Sequence, residues 1–110
     1  MQIKEILVVH HSHLDVGYTH TQPIVWELHR EFIDQALELL EATAAWDEPS
    51  APKWTIEVTA QVQKWLESAD EVAIARLKRF IAQGRIGLSG LEFNTTPLCS
   101  AEQFVKQLEP

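Results

Sequence analysis

The chain has a single cysteine, Cys99, which excludes an intrachain disulfide and a thiolate metal cluster built within one chain. Basic side chains are also scarce. Nine Lys and Arg stand against sixteen Asp and Glu, a net charge of -7 with histidine neutral. A phosphate-backbone binder wants clustered Lys and Arg, so this balance argues against nucleic acid and against an anionic membrane surface as partners. Long apolar runs are missing too. Met1-Gln2-Ile3-Lys4-Glu5 leads into only four apolar residues, Ile6 to Val9, whereas a secretory signal needs about 7–15 and a membrane span about 20. The expected location is therefore cytoplasmic. No internal repeat or low-complexity tract interrupts the sequence.

The composition, 45% hydrophobic and 23% charged over 110 residues, suits one ordinary folded domain covering residues 1–110. The apolar run 6–9 predicts a first strand. After a polar stretch, Pro23 opens a long helix, since proline in a first turn forfeits no intrahelical donor. Its apolar stripe is Val25, Leu28, Phe32, Ala36 and Leu39, widened by Ile33, Leu37 and Leu40, and the helix should run to Ala44 or Ala45. Two prolines in Asp47-Glu48-Pro49-Ser50-Ala51-Pro52 mark a connecting loop.

Alternation of Trp54, Ile56 and Val58 with Thr55, Glu57 and Thr59 predicts a second strand. A short helix over 61–66 follows. Ser68-Ala69-Asp70-Glu71 has the form of a capping box and starts a further helix, which Gly84 closes. Ile86-Gly87-Leu88-Ser89 supplies a third strand, and Ser100-Ala101-Glu102-Gln103 repeats the capping box before a last helix. The order strand, helix, strand, helix, strand, helix implies an α/β fold of parallel β/α units, with crossovers covering a buried sheet.

His13-Leu14-Asp15 lies just beyond the first strand, where α/β folds build their active sites. In an extended chain His11, His13 and Asp15 share one face, because side chains alternate. Zinc accepts imidazole nitrogen and carboxylate oxygen, so this is a candidate metal pair. Asp15-Val16-Gly17 also reads as a turn in which Asp15 caps backbone donors. Glu57 and Glu92 are read as solvated or paired carboxylates, Trp26 and Trp65 as packing residues, and Cys99 as an inert small side chain. Asn94, Thr95 and Thr96 are read as a polar loop before sugar-binding groups.

The stretch Val9-His10-His11-Ser12-His13-Leu14-Asp15-Val16-Gly17-Tyr18-Thr19 resembles the first-strand signature of glycoside hydrolase family 38, the α-mannosidases: His-Ser-His-x-Asp-x-Gly-aromatic. Fainter likeness continues through Lys53-Trp54-Thr55 and Gly84-Arg85-Ile86. The resemblance implies the first three strands of a seven-stranded β/α barrel-like catalytic domain, acting on a mannoside or related carbohydrate by a retaining mechanism. It implies further that His13 and Asp15 are two of four Zn2+ ligands, that Tyr18 stacks near the sugar, and that His11 stands behind the ligands. In the family the nucleophile and the other ligands come from further along a longer chain. This sequence is thus expected to be an N-terminal portion, inactive by itself.

Two other readings remain open at this point. One is an amidohydrolase- or phosphoesterase-like metallohydrolase using His11 and His13. The other is a non-catalytic remnant whose exposed strand edges drive self-association into a homo-oligomer.

Overall fold

The computed structural model describes residues 2–94 and 98–108. Two short parallel strands lie among four helices: α1 (Gln22–Ala42), β1 (Trp54–Ile56), α2 (Thr59–Leu66), α3 (Glu71–Ala82), β2 (Ile86–Leu88) and α4 (Ala101–Lys106). Trp54 pairs with Ile86, Thr55 with Gly87 and Ile56 with Leu88. The parallel β/α plan is therefore present.

The expected first strand is the main difference. Residues 6–9 form no strand, and the N-terminal segment joins the sheet only through a parallel bridge between His11 and Thr55, with the Thr55 amide donating to the His10 carbonyl at 2.8 Å. Its position beside β1 is still that of a first strand in a parallel sheet. Ile6, Leu7, Val8 and Val9 are 66–82% exposed. A parallel strand is held by burial on both faces as well as by its ladder. These side chains lack that burial here, so the pairing stops at one bridge.

The core lies where α1, α2 and α3 meet the two strands, and its fully buried centre is Trp65, Phe80, Leu37 and Leu40. On α1 the buried positions are Val25, His29, Ile33, Ala36, Leu37 and Leu40, whereas Leu39 is exposed. The helix is thus turned from the expected stripe toward Ile33 and Leu37. It ends at Ala42, and Thr43 caps it by donating its hydroxyl to the Leu39 carbonyl at 2.7 Å.

Helix α3 starts at a different residue than expected. Asp70, not Ser68, is its N-cap and accepts from the Ala73 amide at 2.7 Å; the Ser68 hydroxyl turns back to the Trp65 carbonyl. The shorter route from Asp70 satisfies a first-turn donor that Ser68 cannot reach. At the other end, Gly84 takes φ +69°, and the amides of Gly84 and Arg85 return to the carbonyls of Ile81 and Phe80. Such a closure favours glycine because the left-handed region penalises a Cβ. The Ser100–Gln103 capping box of α4 is present as expected. Among the described residues, no helix is long and apolar enough to cross a membrane.

Candidate functional site

Register brings the site together. The bridge aligns His11 with Thr55, so His13 and Glu57, each two residues further on, meet on the same face at the carboxyl rim of the sheet. His13 Nδ1 stands 2.8 and 2.9 Å from the two Glu57 oxygens, and its Nε2 stands 3.0 Å from Asp15 Oδ1. Asn94 Nδ2 donates to Glu57 Oε1 at 2.8 Å, and His11 Nδ1 lies 4.0 Å from that oxygen. Gly17, at φ +79°, provides the turn that brings the chain past Asp15 into α1; a Cβ there would lie 3.1 Å from Gln22 Cγ.

The Glu57 hydrogen bond, followed by its negative charge and then by Asp15, raises the His13 pKa above the ordinary imidazole value of 6.5. The ring is half exposed and flanked by two carboxylates. Two donor types suited to zinc thus face each other, yet among the described residues no group of three or more His, Cys, Asp or Glu is arranged to hold a metal ion. The His13–Asp15 pair fits half of a zinc coordination sphere.

A cavity of about 150 Å³ lies beside these groups, lined by His13, Asp15, Glu57, Trp26, His29 and Phe93, among others. Trp26 stacks obliquely against both His29 and Phe93, with ring centroids 5.8 and 6.4 Å apart. The cavity thus pairs an aromatic wall with a polar edge, a combination that binding pockets use to fix a ligand's orientation. Tyr18 is 89% exposed and does not line this cavity. Thr95 and Thr96 lie outside the described residues.

Sequence reasoning passed over His29 and gave Glu57 and Asn94 no part in the site, reading the first as a solvated or paired carboxylate and the second as a polar loop; the structure pairs Glu57 with both His13 and Asn94. Glu57 carried a usable signal: it is the first polar side chain beyond the carboxyl end of β1. His29 carried another, since it lies four residues from both Val25 and Ile33 within the buried stripe. Its ring is 2% exposed, and Nε2–H donates to the Leu14 carbonyl at 3.1 Å, between the two candidate ligands. Nδ1 is buried with no hydrogen-bond partner.

Burial lowers the His29 pKa below 6.5, against the opposing pull of the Leu14 carbonyl. The unfolded chain therefore takes up this proton more readily than the folded one. Stability from His29 is complete above 6.5 and lost as pH falls through 6.5 toward the depressed folded value. His13 works in the opposite sense, with stability present below 6.5 and lost as pH rises through its raised value. The exposure of that ring makes its contribution small. Thermal melts at stepped pH should show an acid limb starting near 6.5 that flattens in His29→Gln. An equally steep limb in the variant would reject this assignment.

Parallel β/α units carrying a histidine, two carboxylates and an amide at the carboxyl rim define the class: an α/β protein with its polar site where such folds place catalytic groups. The chain belongs to a particular family within that class. The sequence model of the glycosyl hydrolases family 38 N-terminal domain matches residues 4–108. No curated protein and no solved structure matches the chain. Membership in a glycoside hydrolase family makes carbohydrate the substrate class.

Proposed function

We propose that this chain forms the metal- and sugar-binding front of a zinc-dependent, retaining α-mannosidase-type glycoside hydrolase, with His13 and Asp15 as two of the zinc ligands. The observation that carries this reading is the placement of His13 Nε2 beside the Asp15 carboxylate, at 3.0 Å on the carboxyl rim of the sheet, in a family 38 chain. Both groups are strong donors for zinc, and both are accessible, with side chains 51% and 59% exposed. Zinc bound there would act as a template for vicinal sugar hydroxyls and as an electrostatic stabiliser.

The chain's own residues have separate parts in this reading. Trp26 and Phe93 supply the apolar wall of the cavity, and Asn94 a neutral hydrogen-bonding group at its edge. Tyr18, exposed on the turn after Gly17, is available to a sugar ring approaching from solvent. His11, whose Nδ1 lies 4.0 Å from Glu57 Oε1, is given a supporting part and not a ligand's. In a retaining mechanism a carboxylate nucleophile and a separate acid flank the glycosidic bond. Neither role is assigned to the residues named here, so the chain alone is expected to bind metal without turning over a mannoside. Its single cysteine suits the reducing cytosol.

Zinc titration by competition with a chromophoric chelator tests the reading. His13→Ala and Asp15→Ala should each abolish uptake, and His11→Ala should leave most of it. Loss of uptake in His11→Ala with retention in Asp15→Ala would instead identify a His11–His13 metallohydrolase site. Absence of zinc uptake by the unaltered chain would overturn the metal assignment altogether.

A further inference from the structure

We infer that Glu57 is the positioning residue of the site: it fixes the His13 ring with Nδ1–H turned toward Glu57, leaving Nε2 unprotonated with its lone pair available to a metal beside Asp15. Both Glu57 oxygens lie within 2.9 Å of Nδ1. Nδ1 and Nε2 occupy different edges of an imidazole ring, so a carboxylate bound to the first is poorly placed to share an ion with the second. Glu57 therefore orients the ligand and does not add to the coordination sphere.

The backbone around Glu57 explains why it does the holding. Ile56, just before it, is in register with Leu88, and its carbonyl accepts from the Ser89 amide at 3.1 Å. Just after it, the amides of Thr59 and Ala60 donate to the carbonyls of Leu91 and Glu92 at 2.9 and 3.2 Å. The Glu57 side chain is 18% exposed and accepts from Asn94. His13, by contrast, lies in a segment joined to the sheet by one bridge and to α1 through the His29–Leu14 bond, and its side chain is 51% exposed. The more buried partner, paired on both sides along its backbone, thus sets the ring of the more exposed one.

A carboxylate on the remote nitrogen of a metal-binding histidine selects the tautomer and increases the basicity of the ligating nitrogen. The inference rests on the zinc reading only for the consequence that metal affinity follows the tautomer. The tautomer itself is a property of the metal-free chain.

The test measures both on the full chain with Glu57→Ala and Glu57→Gln. Long-range ¹H–¹⁵N NMR, at a pH where the ring is neutral, should show His13 protonated at Nδ1 in the unaltered protein. Glu57→Ala should move the proton to Nε2. Glu57→Gln is nearly isosteric and keeps an acceptor oxygen, so it should retain the Nδ1–H form. In zinc competition, Glu57→Ala should bind about 10–100-fold more weakly and Glu57→Gln should recover part of that loss. An Nε2–H ring in the unaltered protein, or an unchanged tautomer in Glu57→Ala, overturns the inference. A tautomer switch in a chain that takes up no zinc upholds the positioning role and removes the zinc reading, so the two fail separately.

Discussion

Replacing Trp65 with alanine is expected to lower the free energy of unfolding by about 3–5 kcal/mol, the range for deleting a large aromatic side chain from a packed core. Trp65 is 2% exposed and belongs to the central cluster with Leu37, Leu40, Ile56 and Phe80. No single neighbour can fill so large a void, because the elements around it are tied into the sheet and to each other. The indole Nε1–H also donates to Asp34 Oδ1 at 2.7 Å, which orients the ring and satisfies its only donor.

Domains of this kind have about 5–15 kcal/mol of stability in total, so the alanine variant should be close to unfolding. Trp65→Phe separates the two contributions. It retains most of the apolar volume and loses the hydrogen bond to Asp34, at a smaller expected cost of about 1–2 kcal/mol. Urea denaturation followed by circular dichroism reports both. A Trp65→Ala midpoint matching that of the parent would show that Trp65 is not central to the core.

Arg85→Met is expected to cost about 2–4 kcal/mol, because the guanidinium satisfies several buried oxygens at once. Arg85 is 8% exposed. Its nitrogens donate to the Pro52 carbonyl at 3.2 and 3.3 Å, the Leu40 carbonyl at 3.3 Å, the Thr43 carbonyl at 3.4 Å and the Thr43 hydroxyl at 2.9 Å. The Leu40 carbonyl lies in the last turn of α1 and the Thr43 carbonyl on the cap just past it, at the negative end of the helix dipole. Arg85 thereby ties the end of α1 and the loop before β1 to the start of β2.

Methionine preserves much of the apolar stem but takes the guanidinium donors away from the Leu40 and Pro52 carbonyls and leaves the Thr43 carbonyl with the Trp46 amide alone. Arg85→Lys should fall between the two, since an ammonium carries the charge without the planar fork that reaches separate acceptors. Hydrogen exchange should then quicken at the end of α1 and in β1 before it does so in α3. A Met variant as stable as the parent would show that the network contributes nothing net.

Most of the helical plan was legible in the chain. Pro23, Gly84 and the Ser100–Gln103 box act within a few residues, so their signals are complete in the sequence. The misread start of α3 is a local competition as well: Ser68 and Asp70 are both capping residues, and only the path of the chain after Trp65 decides between them. The rotation of α1 is of another kind. Leu39 and Ile33 are equally apolar, and which of them is buried depends on where α2 and α3 come to rest.

His13 and Asp15 stood out from the sequence because two ligand types two residues apart behind an apolar run form a local pattern. Their partner Glu57 did not, because it is 44 residues away and one of sixteen carboxylates. Parallel pairing made it a partner. The bridge between His11 and Thr55 sets the register, and a slip of one residue would turn Glu57 away from His13. Local chemistry in the chain thus determined the order of the elements from α1 onward, most caps and the candidate ligand pair. Only the tertiary structure decided what holds the ring of that pair, because a hydrogen bond between distant side chains depends on strand register, which no short stretch of sequence contains.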